Sequence, residues 1–379
     1  MARRLLNLAV VAAIAAPVLL GIGLVVRAQI LRANGINWDA GAGGRATLHL
    51  PAGHRAGVFA EGLSRPRFLA LAPDGTLLVA ERGADRVVAL PDVDADGAAD
   101  PIAEVGRGFG DAHSIAFEAD GSLLVAGERR LYRVTLDGEL RERRREEVAS
   151  LPGGGAHTTR TVAVLPAGDL LVSVGSSCNV CVERDPRRAA VNLVPGDGGE
   201  ARVFMAGLRN AVGLWVDPAT GRAWATNMGR DLLGDDLPPE TLYEVVDGAD
   251  AGWPRCHAGR LPDPELGTSP AACDGVAQPA ATFPAHTAPL GLVAWRDHLV
   301  VALHGSWNSS TKVGYRLVWL PWSGEPAGRV EDFATGFLPD PERDALGRPA
   351  GLTVGAEGAL YVSDDKAGFI YRIAATDPG

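Results

Sequence analysis

The sequence predicts an all-β fold, a six-bladed β-propeller preceded by a single N-terminal transmembrane or signal helix. Three observations lead to this prediction: a hairpin unit recurs along the chain, turn-forming residues are abundant, and no helical periodicity follows the N-terminus. The chain has 379 residues with 48 Gly and 26 Pro, a composition that marks many turns. Its length suits a closed all-β architecture with a large core.

The recurring unit is an apolar strand, a tight turn containing Gly or Asp, and a second apolar strand. The first copy begins at Pro66, turns at Asp74-Gly75 and ends at Glu81. The first four copies start about 45 to 50 residues apart, which is the spacing of propeller blades. One hairpin cannot bury both of its faces, whereas radially stacked hairpins can. The six copies occupy residues 66–81, 113–126, 160–174, 211–226, 290–302 and 350–363.

A third strand follows several copies, and longer gaps after the fourth copy indicate insertions. We expect the strand from His54 to Glu61 to complete the last blade and to tie the two ends of the ring together. A β-sandwich or two small domains are the alternatives for this pattern. The propeller is predicted to span residues 48–374, between a linker at 30–47 and a tail at 375–379.

The N-terminus predicts export. Arg3 and Arg4 precede an apolar run at 5–26, and about 20 apolar residues are enough to cross a bilayer. The apolar core of a signal peptide is shorter, and residues 26–29 make a poor cleavage site. We therefore expect residues 1–29 to be an uncleaved signal-anchor, with a removed signal peptide as the alternative. Both place the propeller in the periplasm or another extracytoplasmic space, and the first also anchors it to the cytoplasmic membrane.

The four cysteines are Cys178, Cys181, Cys256 and Cys273. In an exported protein we expect two structural disulfides, Cys178–Cys181 and Cys256–Cys273. A zinc site is the alternative if the second pair converges on the first. No His follows Cys181, so the motif is not a c-type haem attachment site. The net charge of −10 argues against nucleic-acid binding, which needs a basic face.

The polar residues just before the first strand of each copy are the candidates for a site. In a propeller, the loops that enter the inner strands gather at one mouth of the channel, so these residues converge. They are Arg67, His113, His157, Arg209, Asn210, His286 and Arg348.

His157 is the candidate base, because it follows a glycine run and a His can take a proton from an alcohol near neutral pH. A His that caps a turn is the alternative. Arg209, Lys312 and Arg348 are cations in an acidic protein and predict an anionic ligand. Salt bridges to nearby carboxylates are the alternative for each of them.

Two stretches offer oxygen ligands for Ca²⁺. The run 227–236 combines backbone carbonyls with carboxylates, the hard ligands that Ca²⁺ prefers, although a hydrogen-bonded turn would look the same. Separately, Asp92, Asp94 and Asp96 match the start of a calcium loop. The closing Glu is missing, since Ala103 stands at position twelve, so we expect a loop that joins two blades, with a weak structural Ca²⁺ site as the alternative.

These residues resemble the PQQ-dependent sugar dehydrogenases, in particular the glucose/sorbosone dehydrogenase family. The resemblance extends over about residues 48–374. Its motifs, in order, are HTTR at 157–160, VGSSCNVC at 174–181, GLRN at 207–210, GRDLLGDDLPP at 229–239, GWP at 252–254, HGSWN at 304–308, KVGY at 312–315, GRP at 347–349 and SDD at 363–365.

The resemblance implies a six-bladed propeller with PQQ over the channel mouth. His157 is implied as the general base that removes the proton of the sugar's anomeric hydroxyl. Arg209 is implied as the cation at the quinone, with Asn210 beside it. Lys312 and Arg348 are implied to pair with the carboxylates of PQQ. Hydride would pass from the sugar C1 to PQQ and give a lactone and the quinol.

The resemblance also implies Ca²⁺ as a second cofactor, held by the backbone of Gly229 and Arg230 and acting as a Lewis acid on the quinone. This sequence departs from the pattern here, because the soluble glucose dehydrogenases carry Gly-Pro at this turn. They also have a second Arg near the position of Arg348. The cysteine-containing insertion at 255–280 is similar to the sorbosone dehydrogenase branch.

The physiological electron acceptor, a quinone or a cytochrome, is not indicated by the sequence. Two other functions suit a six-bladed propeller. One is a Ca²⁺-dependent lactonase, whose site would rest on carboxylates and Asn around a channel metal. The other is a non-catalytic envelope protein that binds glycan or protein and needs neither a base nor a set of cations.

Overall fold

The computed structural model describes residues 43–376. The predicted signal-anchor at 1–29 and most of the linker and tail lie outside these residues. Within residues 43–376, six antiparallel sheets of four strands form the blades, and one further two-stranded sheet is present. No helix among the described residues is long and apolar enough to cross a membrane.

The strands follow the chain blade by blade, except that β1 (His54–Ala60) belongs to the last blade. Blade 1 contains β2 (Pro66–Leu71), β3 (Leu77–Glu81), β4 (Arg86–Leu90) and β5 (Ala103–Arg107). Blade 2 contains β6 (Ser114–Phe117), β7 (Leu123–Ala126), β8 (Arg130–Leu136) and β9 (Glu142–Ser150). Blade 3 contains β10 (Arg160–Val164), β11 (Leu170–Val174), β12 (Ala190–Val194) and β13 (Arg202–Met205). Blade 4 contains β14 (Leu214–Val216), β15 (Ala223–Asn227), β16 (Glu240–Val245) and β19 (Ala281–Phe283), and the hairpin of β17 (Cys256–His257) and β18 (Leu261–Pro262) lies between β16 and β19 in the chain. Blade 5 contains β20 (Pro289–Trp295), β21 (His298–Leu303), β22 (Arg316–Pro321) and β23 (Glu331–Ala334). Blade 6 contains β24 (Pro349–Val354), β25 (Leu360–Asp364), β26 (Phe369–Ala375) and β1.

The two ends of the described chain meet in blade 6. β1 pairs antiparallel with β26, so that His54 lies opposite Ala375 and Val58 opposite Tyr371. The order of this sheet is β1-β26-β25-β24. The predicted closure of the ring by the strand at His54 is therefore confirmed.

The inner strands are continuous apolar runs because both of their faces are covered by neighbouring blades. All five residues of β3 and all five of β11 are buried. The hairpins that join the two inner strands turn at glycines with positive φ, such as Gly75 at 91° and Gly168 at 94°, where a side chain would be strained. The sequence unit of strand, Gly turn and strand is thus the inner hairpin of a blade.

The core is divided among the blade interfaces. Six hydrophobic clusters lie one at each junction between consecutive blades, including the junction of blade 6 with blade 1. A seventh cluster joins Phe68, Val212, Leu290 and Ala350, which lie in or just before the inner strands of four blades. The blades are therefore also in apolar contact near the starts of their inner strands.

Both predicted disulfides, Cys178–Cys181 and Cys256–Cys273, are present. Among the described residues there is no free cysteine, which rules out the zinc alternative. The second disulfide joins the hairpin β17–β18 to a short 3-10 helix at Pro270–Cys273. This segment is the predicted insertion after the fourth repeat.

Candidate active site

The predicted site residues lie at one end of the propeller. Because successive strands of a blade run in opposite directions, the starts of β2, β6, β10, β14, β20 and β24 share one end, the mouth. The seven residues selected from the sequence lie at or just before these starts. Several of them belong to two hydrogen-bonded networks, one around Arg209 and one around Asp365, whereas His286 bonds separately to the carbonyl of Gly234.

His157 is oriented by its first ring nitrogen. Nδ1 lies 2.9 Å from the carbonyl oxygen of Ser176 and 2.9 Å from its hydroxyl oxygen. The carbonyl can only accept, so Nδ1 carries a proton and Nε2 keeps the lone pair. Burial and the positive charge of Arg209 lower the pKa of His157 to about 4. The imidazole is therefore neutral at neutral pH and able to accept a proton at Nε2.

Asn210 lies beside His157, with Gly175 between them. A β-carbon on Gly175 would lie 2.6 Å from His157 Cβ and 2.6 Å from Asn210 Oδ1. The backbone of Asn210 is fixed by β15, since its N–H donates to Asn227 Oδ1 at 3.1 Å. A residue with any side chain at position 175 would push the base and the amide apart.

Arg209 is nearly buried, with 4% of its surface exposed. Nε donates to the carbonyl of Asn179 at 2.9 Å, and Nη2 donates to Asn179 Oδ1 at 2.9 Å and to Asp231 Oδ2 at 2.7 Å. Nη1 donates to the carbonyl of Gly229 at 2.6 Å. Asp231 is in turn held by Asn308 Nδ2 at 2.7 Å, from the loop that follows β21.

The second network crosses from blade 5 through blade 6 to blade 1 and blade 2. Asp365 accepts from His304 Nε2 at 2.8 Å and is paired with Arg67. Arg67 Nη2 lies 3.2 Å from His113 Nε2. Burial lowers the pKa of His304 to about 4. Burial alone would raise the pKa of Asp365, but the charges and hydrogen bonds of His304 and Arg67 hold it well below its usual range.

His113 and His286 have structural positions. His113 is fully buried, and its Nδ1 lies 2.9 Å from the carbonyl of Arg160. Burial, reinforced by the charge of Arg67, holds its pKa well below the usual range. His286 Nε2 lies 2.7 Å from the carbonyl of Gly234. Both histidines therefore form hydrogen bonds to backbone carbonyls of other segments of the chain.

Lys312 and Arg348 belong to loops at the mouth. Lys312 precedes no inner strand but lies between β21 and β22, and its Nζ donates to the carbonyl of Arg343 at 2.9 Å. Arg348 donates to the carbonyls of His304, at 3.1 Å, and Gly305. Carbonyl acceptors are neutral, so these contacts fix the two side chains without adding negative charge. Lys312 Nζ also lies 4.0 Å from Asp344 Oδ1, a half-exposed carboxylate. Together with Arg209, these side chains suit a ligand with several carboxylates, such as PQQ.

The turn predicted to hold Ca²⁺ is already engaged at both backbone groups of Gly229. Its N–H donates to Glu240 Oε2 at 2.6 Å, and its carbonyl accepts from Arg209. Burial raises the pKa of Glu240 to about 8, so this carboxyl is largely protonated at neutral pH. The side chain of Arg230 points into the insertion, where Nη1 donates to Asp263 Oδ2 at 2.6 Å. As arranged, these groups do not fit a Ca²⁺ ion, and the predicted metal site stays a prediction.

The aspartate loop lies at the opposite end of blade 1. Carboxylate oxygens of Asp92, Asp94 and Asp96 lie within 4.8 Å of one another. Asp92 also lines a cavity of about 440 Å³ between blade 6 and blade 1. The loop joins β4 to β5 within blade 1, so the prediction that it joins two blades is wrong. It is far along the strands from His157 and takes no part in the network at the mouth. A structural Ca²⁺ there stays a prediction.

Sequence reasoning selected none of three central residues, Asn179, His304 and Asp365. Each stands inside a motif that carries the family resemblance, in the stretches 174–181, 304–308 and 363–365. None of them precedes an inner strand, so the rule that selected the other candidates could not select them. The polar residues in these motifs were the signal that could have found them.

A family comparison matches most of the propeller. The TrAA12-like family model matches residues 48–236 and 261–376. The chain belongs to the TrAA12-like family. The gap between the two matched ranges, residues 237–260, contains β16 and the beginning of the disulfide-bonded insertion. The resemblance to PQQ-dependent sugar dehydrogenases inferred from the sequence is confirmed at the level of the family.

Curated proteins similar to this TrAA12-like chain include two of interest. Pyrroloquinoline quinone-dependent pyranose dehydrogenase of Coprinopsis cinerea is 26% identical, over 87% of this chain and 55% of that protein. An uncharacterized protein of Borreliella burgdorferi is 27% identical, over 54% of this chain and 56% of that protein. The chain thus spans about half the length of the curated relatives that it matches.

Three solved structures show the same fold. The holo PQQ domain of pyranose dehydrogenase from Coprinopsis cinerea has a TM-score of 0.79 and 24% identity, with 89% of this chain and 99% of that chain covered. A calcium structure of the family AA12 protein from Trichoderma reesei has a TM-score of 0.78 and 22% identity, with 89% of this chain and 99% of that chain covered. The PQQ-bound aldose sugar dehydrogenase from Streptomyces coelicolor has a TM-score of 0.64 and 19% identity, with 86% of this chain and 100% of that chain covered.

Proposed function

We propose that this TrAA12-like protein oxidises an aldose or related pyranose sugar at C1, with PQQ as the cofactor. The observation that carries the proposal is a neutral, oriented His157 near the buried cation Arg209, with the pKa of the His lowered by burial and by the charge of Arg209. The names of the similar proteins, a PQQ-dependent pyranose dehydrogenase and a PQQ-bound aldose sugar dehydrogenase, agree with it.

PQQ supplies a two-electron oxidant that takes up the hydride from the sugar C1. Arg209, Lys312 and Arg348 would hold it, because its carboxylates match their positive charges. Arg209 would also stabilise the negative charge that develops on the quinone as hydride arrives. Asn210 would orient the bound group from its position beside Gly175.

His157 takes the proton in the same step. The C1 hydroxyl of the sugar gives its proton to Nε2, the C1–H bond gives its electron pair to the oxidant, and C1 becomes the lactone carbonyl. The imidazolium that forms is held by the carbonyl of Ser176 at Nδ1, 2.9 Å away, which stabilises the positive charge. Because the free imidazole has a low pKa, the proton is readily returned to water.

A lactonase is favoured less by the geometry. A channel metal would need inward carboxylates and amides, whereas Phe68, Val212, Leu290 and Ala350 near the inner-strand starts form an apolar cluster. Two carboxylates near the mouth, Asp231 and Asp365, are each paired with an arginine.

The cofactor Ca²⁺ and the export of the chain belong to the same proposal. Ca²⁺ at the carbonyl of Gly229 would require Arg209 to move away from that oxygen. The two disulfides support an oxidising, extracytoplasmic compartment. The electron acceptor would meet the reduced cofactor at the mouth.

Addition of PQQ, with and without Ca²⁺, to the purified apo-protein tests the proposal. We expect the quinone absorbance to change on mixing and an electron-accepting dye to be reduced when an aldose is added. A protein that leaves the quinone absorbance unchanged under both conditions would not have this function. Lactone hydrolysis without PQQ would support the hydrolase instead.

A further inference from the structure

One residue, Asn179, fixes the direction of the Arg209 guanidinium. It supplies two acceptors to the same edge of the group: its carbonyl to Nε at 2.9 Å and its Oδ1 to Nη2 at 2.9 Å. Two parallel contacts along one edge of a planar guanidinium set the plane as well as the distance. The carbonyl of Gly229 at Nη1 and the carboxylate of Asp231 at Nη2 complete the set of acceptors.

Asn179 also fixes the partner of Arg209. The backbone N–H of Asp231 donates to Asn179 Oδ1 at 2.7 Å, and Asn179 Nδ2 donates to the carbonyl of Asp231 at 3.0 Å. The carboxylate of Asp231 is bonded to Arg209 Nη2 at 2.7 Å. The amide of Asn179 therefore holds the arginine and its counterion as one unit.

The position of Asn179 is itself restrained by the disulfide loop. Asn179 lies inside the small ring closed by Cys178 and Cys181. The carbonyl of Cys178 accepts from the hydroxyl of Ser176 at 2.6 Å, and the carbonyl of Ser176 is the acceptor for His157. One segment, 176–181, thus supports both His157 and Arg209.

The side chain of Asn179 is uncharged, and this affects the net charge around Arg209. Arg209 and its carboxylate partner, Asp231, already form a neutral pair, so a second carboxylate would give the unit a net negative charge and repel an anionic cofactor. An Asn fixes the guanidinium through its oxygen without adding negative charge. An Asp at the same place would keep the acceptor but repel the anion.

We propose that Asn179, restrained by the Cys178–Cys181 disulfide, is a positioning residue that sets the orientation and the net charge of Arg209. This inference rests on the proposed function, in which Arg209 contacts the cofactor. Asn179 acts through Arg209 and need not touch the sugar.

Three variants test the proposal in the full-length protein: Asn179→Ala, Asn179→Asp, and Cys178→Ser with Cys181→Ser. We expect Asn179→Ala to lower kcat at saturating PQQ about 10-fold or more, the scale of a lost hydrogen bond to a charged group. Asn179→Asp should retain more of kcat but raise the half-saturating PQQ concentration about 10-fold, because it adds a negative charge beside the anion site. The serine variant, which keeps the Asn side chain but opens the ring, should lower kcat by less than Asn179→Ala.

Asn192→Ala is the matched structural control. Asn192 is a buried amide in β12 that donates to the carbonyl of Arg187 at 2.9 Å. Its removal should lower the melting temperature and leave kcat and PQQ half-saturation of the folded protein unchanged. Wild-type kinetics in Asn179→Ala, or identical behaviour of Asn179→Ala and Asn179→Asp, would overturn the positioning role.

A crystal structure of Asn179→Ala separates this proposal from the proposed function. We expect the Nη2 edge of the Arg209 guanidinium to shift and rotate together with Asp231, because Nη2 and the Asp231 N–H both lose the acceptor Asn179 Oδ1, whatever the activity of the protein. An unmoved Arg209 contradicts the positioning role even if the wild type oxidises sugars. A wild type without PQQ binding, together with a rotated Arg209, contradicts only the proposed function.

Discussion

His157 donates its Nδ1 proton to the backbone carbonyl of Ser176 across 2.9 Å. This bond leaves the lone pair on Nε2 and holds the ring in one orientation, both of which a general base requires. Ser176 in turn belongs to the segment closed by the Cys178–Cys181 disulfide. The base is therefore positioned by backbone rather than by a carboxylate partner.

His157→Ala is expected to lower kcat with an aldose about 10²- to 10⁴-fold, the usual contribution of a general base. PQQ binding should persist, since Arg209, Lys312 and Arg348 remain. Stopped-flow dye reduction and titration of the quinone absorbance measure the two properties. Equal losses of turnover and cofactor binding would show that His157 is a cofactor ligand and not the base.

The pH dependence of kcat/KM should report the low pKa of His157. The neutral form is the active one, so activity requires a pH above the pKa of about 4, which burial and the charge of Arg209 produce. The rate should rise with pH through about 4 and be level through 6.5, the value of an ordinary His. Initial rates from pH 3.5 to 8 check this, and an acid limb centred near 6.5 would contradict it.

Gly175→Ala should disturb the base and the amide together. The new β-carbon would lie 2.6 Å from His157 Cβ and 2.6 Å from Asn210 Oδ1, closer than side chains can approach, so at least one of them must move. We expect kcat to fall at least about 10-fold, because small displacements of positioned groups have large effects on rate.

Gly138→Ala is the control for this substitution. Gly138 is exposed in the β8–β9 turn, and a β-carbon there would meet nothing within 4 Å. Its kinetics should match those of the wild type. An unchanged kcat in Gly175→Ala as well would mean that the mouth tolerates a shift of His157 or Asn210.

The fold was predictable because its signals are local. Each inner hairpin is encoded by an apolar run, a Gly turn and another apolar run within about 16 residues, and the blade count follows from counting these units. Even the closing strand β1 could be predicted, because an extra strand before the first unit has only the open edge of the last blade to pair with.

The site residues were predictable only where their position before an inner strand places them at the mouth. His157 and Asn210 precede inner strands, and the fold brings them together at Gly175. The partners of the cations could not be predicted in this way. Arg67 meets Asp365 across 298 residues of sequence, a contact that exists only after the ring has closed.

The insertion between β16 and β19 of blade 4 explains one departure from the family pattern. Arg230 replaces a Pro of the soluble glucose dehydrogenases, and its side chain is buried against Asp263 of the insertion. His257, from the same insertion, contacts Asp263 at 2.8 Å. Arg230 is thus paired with a carboxylate that the insertion supplies. Comparison of the sequence of the 229–230 turn alone could not show this contact.

Asp365→Asn should destabilise the fold. Asp365 pairs with buried Arg67 and accepts from His304 at 2.8 Å, so the substitution leaves a buried cation without its counterion, at a cost of about 3–5 kcal/mol. Because its folded pKa is held below the unfolded value of about 3.9, its contribution is complete above that pH and is lost as the pH falls further. Denaturant unfolding at pH 7 and at pH 3 should therefore show a larger loss of unfolding free energy relative to wild type at pH 7.

Asp247→Asn is the control, because Asp247 forms an exposed pair with Arg202. This variant should leave the unfolding midpoint unchanged. Equal midpoints for Asp247→Asn and Asp365→Asn would contradict the role of Asp365.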